Sequence, residues 1–511
     1  MPTQSNYDAV PYPSMTFPQT HPDVLATAAA FFGMETADPE SCSVLELGCG
    51  DGMNLISFAS ILKGSRFVGI DLSSVHIDHA NRSASELKLE NTKFIHGDVT
   101  DINRGEFGTF DFVIAHGLYS WVPEAVRTKI LEIYAECLAP RGVGYISYNA
   151  YPGYRIWEMF REMMRYHVAH VSDAMAKVQK GRAFLKSLGG QGEPNGLYQA
   201  LIRAGHNAIS AAEPASVFHD ELSDVNQPFY FHEFVAQLRE HGLQFLCEVD
   251  PAISSKKSSF DDLRLEVDTV DDIVKREQYV DFIEGRRFRS SLFCRNDIEL
   301  DRRPGPDIVR NFCISSRLRP KQEHFDILDE SEVCFVAPNG GEVSTALPLT
   351  KSVLVHLQNK GCPGGRLDEL LAEAQHTPGA SPTFSIEDIE TTAAFILQAY
   401  EDGLIEFHKF RPNLVALPGK FPVAHFLARW QIAHGFKVVS TGAGTSYDTE
   451  NDMTKLLILL LDGSRDRESL LTEMRRRIEV DENRKETFEQ NLPETIEAGL
   501  NELAEAGLLV A

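Results

Sequence analysis

The stretch VLELGCGDG, Val44 to Gly52, is an apolar strand that runs into a glycine-rich turn. A dinucleotide fingerprint reads G-x-G-x-x-G, and its third glycine lets the next helix pack closely on the strand. Counted from Gly48 and Gly50, that third position is Met53, so the dinucleotide pattern fails. The pattern that fits is acid-x-G-x-G-x-G, which starts at Glu46. Glycines spaced in this way let the backbone approach a bound ligand where a side chain would collide.

Further carboxylates are expected beside this turn. Asp71 follows the second strand candidate, where a carboxylate can accept both hydroxyls of a ribose, and Asp98 follows the third, beside the expected adenine edge. S-adenosylmethionine lacks a pyrophosphate and carries an ammonium and a sulfonium, so nearby acids suit it. The sequence therefore predicts S-adenosylmethionine as the cofactor, held by Glu46, Gly48, Cys49, Gly50, Gly52, Asp71, Leu72, Asp98, Val99 and His116.

Strand-like and helix-like segments alternate on both sides of the turn, which predicts an α/β fold with a parallel sheet. The strand candidates are Ser43–Leu47, Phe67–Ile70, Lys93–His96, Phe110–Ala115, Val143–Tyr148, Gln244–Glu248 and Arg289–Cys294. A helical stretch from Ile156 to about Ala212 separates the fifth strand from the sixth. We therefore expect a seven-stranded, Rossmann-like sheet that carries a helical insertion.

The C-terminal part contains a loose tandem repeat. Val353–Ala374 and Leu456–Met474 each pass from an apolar helix through a glycine break into an acidic, leucine-rich helix, and a helix ending in Gly-Leu follows both. This order predicts two α+β, winged-helix-like units. The predicted divisions are an N-terminal arm or lid over 1–40, a sheet domain over 41–298 with its insertion at about 155–235, and units over 299–415 and 416–511.

Methyl transfer mainly requires alignment of the nucleophile with the methyl group and exclusion of water. The segment IAHGLYSWVP, after the fourth strand, places aromatic and imidazole groups over the cleft, where a ring face would attract a cationic sulfonium. The segment YNAYPGYR, after the fifth strand, offers acceptors that could orient an amine. The catalytic candidates are His116, Tyr119, Trp121, Tyr148 and Asn149. An equally good interpretation of Trp121 is that it covers the start of the next helix.

Two other segments are expected at the rim of the cleft. The segment from Phe218 to Phe234 supplies titratable or hydrogen-bonding groups that either orient the substrate or serve as a helix cap and a strand contact: His219, Asp220, Tyr230 and His232. The leader supplies aromatic residues that either close over the cofactor or pack on the surface: Tyr7, Tyr12 and Phe17.

Composition limits the partners. The chain has 74 acidic and 49 basic residues and a formal net charge of -25, which disfavours a nucleic-acid partner and tolerates a cationic one such as a lysine-bearing protein. The eight cysteines lack metal-ligand spacing, so no metal is predicted. No apolar run is long enough to cross a bilayer, and there is no lysine or arginine before Lys63, so we expect a cytoplasmic protein.

The motifs together resemble the bacterial class I S-adenosylmethionine methyltransferases that carry a methyltransferase regulatory domain, including protein-lysine methyltransferases acting on outer-membrane proteins. The resemblance runs through the VLELGCGDG turn, IAHGLYSWVP, YNAYPGYR, the HDEL and PFYFHEF segments and EQYVDFIEGRRFRSSLFC. It implies a regulatory segment at about 215–298, an N-terminal arm that closes over the site, and later regions that bind protein or support a homodimer. The sequence favours lysine as the acceptor, with a small-molecule O- or C-methyltransferase and a non-catalytic S-adenosylmethionine-binding regulator as the alternatives.

Overall fold

The strand that ends in the glycine turn lies in the middle of a seven-stranded sheet. The computed structural model describes residues 10, 12, 14–102, 104–190, 194–249, 270–361, 364–376, 384–449, 451–478 and 485–510. The sheet strands are β1 (Ser43–Leu47), β2 (Arg66–Asp71), β3 (Thr92–His96), β4 (Phe110–Ala115), β5 (Leu138–Asn149), β6 (Leu243–Glu248) and β7 (Phe288–Arg295). Their spatial order is β3-β2-β1-β4-β5-β7-β6. Only β7 runs antiparallel to its neighbours. The predicted seven-stranded sheet is therefore confirmed.

Helices cover both faces of this sheet, as a largely parallel sheet requires. They are α1 (Pro22–Phe31), α2 (Met53–Ile61), α3 (Ser74–Glu86), α4 (Arg104–Phe107), α5 (Glu124–Cys137), α10 (Phe231–Glu240) and α11 (Ile273–Glu284). One hydrophobic cluster joins Leu25 and Phe58 to the strand residue Phe112, and a second joins Tyr134 and Phe234 to the other face. The carboxyl ends of β1 to β5 are thus held rigidly at one edge.

Four helices form the insertion between β5 and β6. They are α6 (Tyr154–Val168), α7 (Ala174–Gly189), α8 (Leu197–Ala211) and α9 (Pro214–Asp220). All four pack around a separate apolar cluster that includes Phe160, Val178, Ile202 and Val217. Although the sequence analysis extended the insertion to about 235, α10 packs on the sheet through Phe231 and Phe234.

Two C-terminal units follow, each with its own core. The first contains β8 (Cys313–Ser316), β9 (Arg319–Pro320), β10 (Val333–Val336), β11 (Glu342–Thr345), α12 (Pro348–Lys360), β12 (Gly365–Arg366), α13 (Leu367–Gln375), α14 (Ile386–Glu401) and β13 (Ile405–His408). The second contains α15 (Phe426–Ala433), β14 (Val438–Ser440), β15 (Ser446–Asp448), α16 (Asp452–Leu460), α17 (Arg467–Arg477) and α18 (Lys485–Glu505).

The two units share one connectivity. In the first, β8 lies between β12 and β13, and α12 precedes β12 while α13 and α14 separate β12 from β13. In the second, Val423 bridges Asp462 and Ala424 bridges Leu509, with α16 before Asp462 and α17 and α18 after it. This agreement supports the predicted tandem repeat, and winged-helix kinship of the units stays a prediction. Within the described residues, no helix has the length and apolar character needed to cross a bilayer.

The helix that continues from the arm, α1, is tied to the first C-terminal unit by buried polar contacts. Asp23 accepts hydrogen bonds from the backbone N–H groups of Lys409 and Phe410, at 2.6 and 2.7 Å, and lies 2.8 Å from Nδ1 of His408. Burial alone would lower the pKa of His408, but hydrogen bonds to Asp23 and Glu406 raise it to about 10. His408 is therefore a cation that holds the carboxylate of Asp23.

His408→Gln should destabilise the protein in a pH-dependent way. Because the pKa of His408 is raised from its ordinary value of 6.5 to about 10, its contribution is complete below about pH 6.5 and disappears as the pH rises through 10. We expect the variant to lower the midpoint of thermal unfolding by roughly 3–6 °C at pH 6, as for a broken buried ion pair, and by much less at pH 10. His79→Gln, at an exposed position of α3, is the control. An equal loss at both pH values would contradict the ion pair.

Candidate functional site

The glycines of the turn differ in the space around them. Gly48, Gly50 and Gly52 all have positive φ angles, of 74, 54 and 74°. A Cβ atom on Gly52 would lie 2.5 Å from the ring of Phe94, so this glycine lets α2 pack on the sheet. A Cβ on Gly50 would meet nothing within 4 Å, and the N–H of Gly50 donates to Oδ2 of Asp71 at 2.8 Å. The turn is therefore open at Gly50, on the side that faces the carboxylates.

Glu46 is a buried acid with an unsatisfied oxygen. Its Oε1 accepts a hydrogen bond of 2.9 Å from Nδ2 of Asn54, whereas its Oε2 is buried and has no hydrogen-bond partner in the part of the chain that the structure describes. Burial, together with the nearby carboxylates of Asp71 and Asp51, raises the pKa of Glu46 to about 8. A buried acceptor of this kind is costly unless a donor or cation reaches it, so the site suits a positively charged ligand.

The ends of β2 and β3 supply the other predicted cofactor residues. Asp71 accepts from the N–H of Ser73 at 2.9 Å as well as from Gly50, and each oxygen keeps a further lone pair. Leu72 is an exposed apolar side chain, 43% accessible, beside that carboxylate. Asp98 caps the short helical turn that begins at Val99, through the N–H of Thr100. These four predicted residues lie on one edge of the sheet, with Leu72 able to cover a flat ring.

His116 lies at the end of β4 under the N-terminal arm. Its Nδ1 is 2.8 Å from the hydroxyl of Tyr145, and its ring centroid is 4.0 Å from that of Phe17. Burial lowers the pKa of His116 to about 4. The imidazole is thus neutral at pH 7 and suited to a hydrogen bond or a ring contact, not to carrying charge. A Cβ on the next residue, Gly117, would again meet open space.

The arm crosses the carboxyl edge of the sheet. The N–H of Phe17 donates to Oδ1 of Asn54 at 2.8 Å, and Ser14 donates to Asp51, the acid inside the glycine turn. Farther along, the hydroxyl of Tyr12 is 3.4 Å from Oδ2 of Asp220. The arm therefore connects the glycine turn with the end of the insertion. Tyr7 lies outside the described residues.

Two catalytic candidates do not face this cleft. Tyr119 is fully buried among Phe229 and Phe234, and its hydroxyl donates to Gln237 at 2.8 Å. Tyr148 is 1% exposed and stacks on Phe234 at 4.2 Å. Burial raises the pKa of both phenols. In this arrangement the two tyrosines pack and support the core, and a substrate has no access to them.

Trp121 and Asn149 do lie together near the end of the insertion. The indole ring of Trp121 is half-buried, with the guanidinium of Arg161 5.4 Å from its centroid. The backbone N–H of Asn149 donates to Oγ of Ser120 at 2.9 Å, and its side chain donates to Oδ1 of Asn226 at 3.4 Å. The ends of β4 and β5 and the segment after α9 therefore meet at one place.

The remaining rim residues are divided between two groups. His219 bonds the carbonyl of Val10 through Nε2 at 2.5 Å, beside Asp220. Tyr230 and His232 instead stack on each other at 5.7 Å, and Nδ1 of His232 is 2.8 Å from Oε1 of Gln278 on α11. His219 and Asp220 reach the described residues of the arm. Among the described residues, no cluster of His, Cys, Asp and Glu has the arrangement of a metal site.

Two residues of the site, Asn54 and Asp51, are not among those predicted from the sequence. Asn54 is 2% exposed and joins Glu46, Thr20 and the backbone of Phe17. A signal was present, because a polar amide directly after the glycine turn, in an otherwise apolar helix start, has to find buried partners. Asp51 lies within the quoted turn, but its contact with the arm depends on the tertiary structure.

Two family models match the chain. The methyltransferase domain matches residues 44–142, and the predicted methyltransferase regulatory domain matches residues 213–295. The first covers the glycine turn and the strands β1 to β4, and the second begins at the end of the insertion and includes β6 and β7.

Relatives extend this likeness. Uncharacterized protein RP028 of Rickettsia prowazekii is 33% identical over 242 residues, which are 47% of this chain and 96% of that protein. Uncharacterized protein RP789 of the same organism is 35% identical over 354 residues, which are 68% of this chain but 64% of that protein. The structure of PKMT2 from Rickettsia typhi is 26% identical, with a TM-score of 0.87, and the match covers 98% of this chain and 100% of that one. PKMT2 in complex with AdoHcy matches with the same identity and coverage and a TM-score of 0.88. The chain therefore belongs to the class I S-adenosylmethionine-dependent methyltransferases that carry a methyltransferase regulatory domain.

Proposed function

We propose that this S-adenosylmethionine-dependent methyltransferase N-methylates lysine side chains of a protein substrate in the cytoplasm. The observation that carries the choice of acceptor is the likeness to PKMT2, a protein lysine methyltransferase by its name, which extends over the sheet domain, the insertion and both C-terminal units. The net charge of -25 agrees with a lysine-bearing partner. A homodimer, suggested by the family resemblance, has a candidate surface on the insertion, where Tyr166, Leu197 and Tyr198 are exposed.

The proposed cofactor site combines the open turn with three acids. Gly50 leaves room for the methionine portion of the ligand, and Oε2 of Glu46 would contact a positively charged group. Asp71 would accept hydrogen bonds from the ribose hydroxyls. Leu72, Asp98 and Val99 would border the adenine, and His116 with Phe17 would close the site from above. When bound, S-adenosylmethionine supplies an activated methyl group on a sulfonium. The protein residues then have to exclude water and hold the acceptor in line.

Asp71→Ala tests the ribose assignment. Loss of two charge-assisted hydrogen bonds, at about 1.5–3 kcal/mol each, should weaken S-adenosylmethionine binding by about 100-fold or more in calorimetry. Asp78→Ala, at an exposed position of α3, should leave the dissociation constant unchanged. Equal affinities for the Asp71 variant and the control would refute the assignment.

Glu46 should lose a proton when the cofactor binds. With a pKa of about 8 the side chain is mostly protonated at pH 7, and a nearby positive charge favours the carboxylate. We therefore expect release of about one proton at pH 7 and an affinity that rises with pH up to about 8. The binding enthalpy measured in Tris and in phosphate should differ accordingly, and Glu46→Gln should abolish the difference. A buffer-independent enthalpy for the wild type would show that Glu46 is not next to the charge.

Radiolabelled S-adenosylmethionine and a heat-inactivated bacterial lysate test the acceptor. We expect label in protein bands, recovered after acid hydrolysis as methyllysine. Acetylation of the lysate amines before the reaction should abolish this labelling, because acetylated lysine has no nucleophilic lone pair. Label confined to small molecules would favour the O- or C-methyltransferase alternative, and no transfer despite cofactor binding would favour a regulator.

A further inference from the structure

An acidic-aromatic cluster lies where the ends of β4 and β5 meet the insertion. Its members are Trp121, Tyr154, Trp157, Asp220 and Glu221. The indole N–H of Trp157 donates to Oε1 of Glu221 at 2.5 Å, and the hydroxyl of Tyr154 accepts from Nδ2 of Asn226 at 2.7 Å. Trp121, Trp157 and Asp220 are only half-buried. The cluster thus combines ring faces with two adjacent carboxyl groups and keeps partial access from solvent.

Arg161 and Arg287 lie near the two carboxyl groups, and both oppose the raised pKa of Glu221. In the part of the chain that the structure describes, neither Asp220 nor Glu221 forms an ion pair. Arg161 donates to the backbone carbonyls of Asp220 and Ser223 and not to a carboxylate. The guanidinium of Arg287 lies 4.5 Å from the ring centroid of Trp157. Neither arginine therefore neutralises the acidic pair directly.

Glu221 provides a separate observation that favours a ligand site in this cluster. The residue is 7% exposed, and its Oε2 is buried with no hydrogen-bond partner among the described residues. A buried acceptor without a donor is destabilising, and more so if it is ionised. The hydrogen bonds of Arg161 and Trp157 are sufficient to join α6 to the segment after α9. Oε2 of Glu221 is not needed for that packing. The unsatisfied oxygen points to a donor that arrives from outside.

The cluster borders the cofactor cleft. Tyr12 of the arm reaches Oδ2 of Asp220 at 3.4 Å, and the neighbouring His219 bonds the carbonyl of Val10. His76 helps to lower the pKa of His219, after the larger effect of burial, and Nδ1 of His76 is 3.9 Å from Oδ1 of Asp71. A continuous set of side chains therefore leads from the proposed ribose ligand to the acidic pair.

We propose that the acidic-aromatic cluster binds the side-chain ammonium of the acceptor lysine and that Asp220 accepts its proton; this rests on the proposed function. Ring faces and carboxylates both attract an alkylammonium, and the three N–H donors of a lysine match the free acceptor positions. In the proton transfer one N–H bond of the ammonium breaks and an O–H bond forms on Oδ of Asp220. The lone pair left on nitrogen is then free to bond the methyl carbon, since only the neutral amine is nucleophilic.

The surroundings of Asp220 suit this role. Burial and the neighbouring carboxyl of Glu221 raise the pKa of Asp220 to about 7, against the opposing effects of the Tyr12 hydroxyl and Arg161. Tyr154 and His219 also face this group, and burial lowers the pKa of His219, so it adds no charge near pH 7. A carboxylate with a pKa of about 7 takes a proton from lysine, whose ordinary pKa is about 10.4, more readily than an ordinary aspartate does.

The pH dependence of the rate tests the proposal. The acceptor probe is protein from a heat-inactivated bacterial lysate below saturation, and the measurement is the initial rate of methyllysine formation with saturating radiolabelled S-adenosylmethionine. For the wild type we expect the rate to rise up to about pH 7 and then to stay level to pH 9. Asp220→Asn can methylate only lysine that is already neutral. Its rate should therefore be at least 100-fold lower than that of the wild type at pH 7.5 and rise about tenfold per pH unit up to pH 9. Glu221→Gln should lower the rate about tenfold.

Asp224→Asn is the matched control, because it removes the same charge from the same segment at a side chain that is 72% exposed. It should have the rate and pH profile of the wild type, and all variants should bind S-adenosylmethionine with unchanged affinity in calorimetry. A wild-type rate that rises tenfold per unit from pH 7 to 9 would overturn the role of Asp220, even if Asp220→Asn does not fold. Parallel profiles of Asp220→Asn and Asp224→Asn would overturn it too. If the wild type forms no methyllysine at any pH, the proposed function itself fails.

Discussion

The carboxamide of Asn54 is the interaction on which the cleft depends. Its oxygen accepts from the backbone of Phe17, and its nitrogen donates to Glu46 and to Thr20. One buried side chain thus joins the helix after the glycine turn, the acid inside β1 and the arm that crosses the sheet edge. Loss of this amide would leave buried donors and acceptors unsatisfied in three segments at once, so the position of the arm and the environment of Glu46 are linked.

The C-terminal units contribute to the same site by holding the arm from the other side. Oγ1 of Thr16 is 2.7 Å from Oγ of Ser440 in the second unit, and Asp23 binds β13 and the residues after it in the first. The arm is therefore fixed at both ends of its contact with Asn54. This arrangement gives the C-terminal units a physical link to the edge of the sheet that carries the glycine turn.

The predictions that succeeded depend on local rules. The order of apolar strands around Val44–Gly52 follows from strand periodicity, which is legible in the sequence. The direction in which a side chain points is harder to predict from the sequence. Tyr119 and Tyr148 were taken for cleft residues because they follow or end strands, yet both turn into the core, where Phe234 packs against each. Asn54 was overlooked for the converse reason, since its three partners come from segments that only the tertiary structure brings together.

The buried acids of the cleft have to be considered together with the positive charges of the reactants. In the proposed reaction two positive groups, a sulfonium and a lysine ammonium, have to approach each other, and their repulsion is strongest where water is excluded. Among the described residues, the buried acids Glu46 and Glu221 each have an oxygen with no hydrogen-bond partner, and burial raises the pKa of each. With a pKa of about 8, Glu46 is mostly protonated at pH 7, and a nearby cation favours its carboxylate form. In the proposed reaction this acid would therefore gain its negative charge as the positive cofactor enters, which avoids an unpaired buried charge in the empty site.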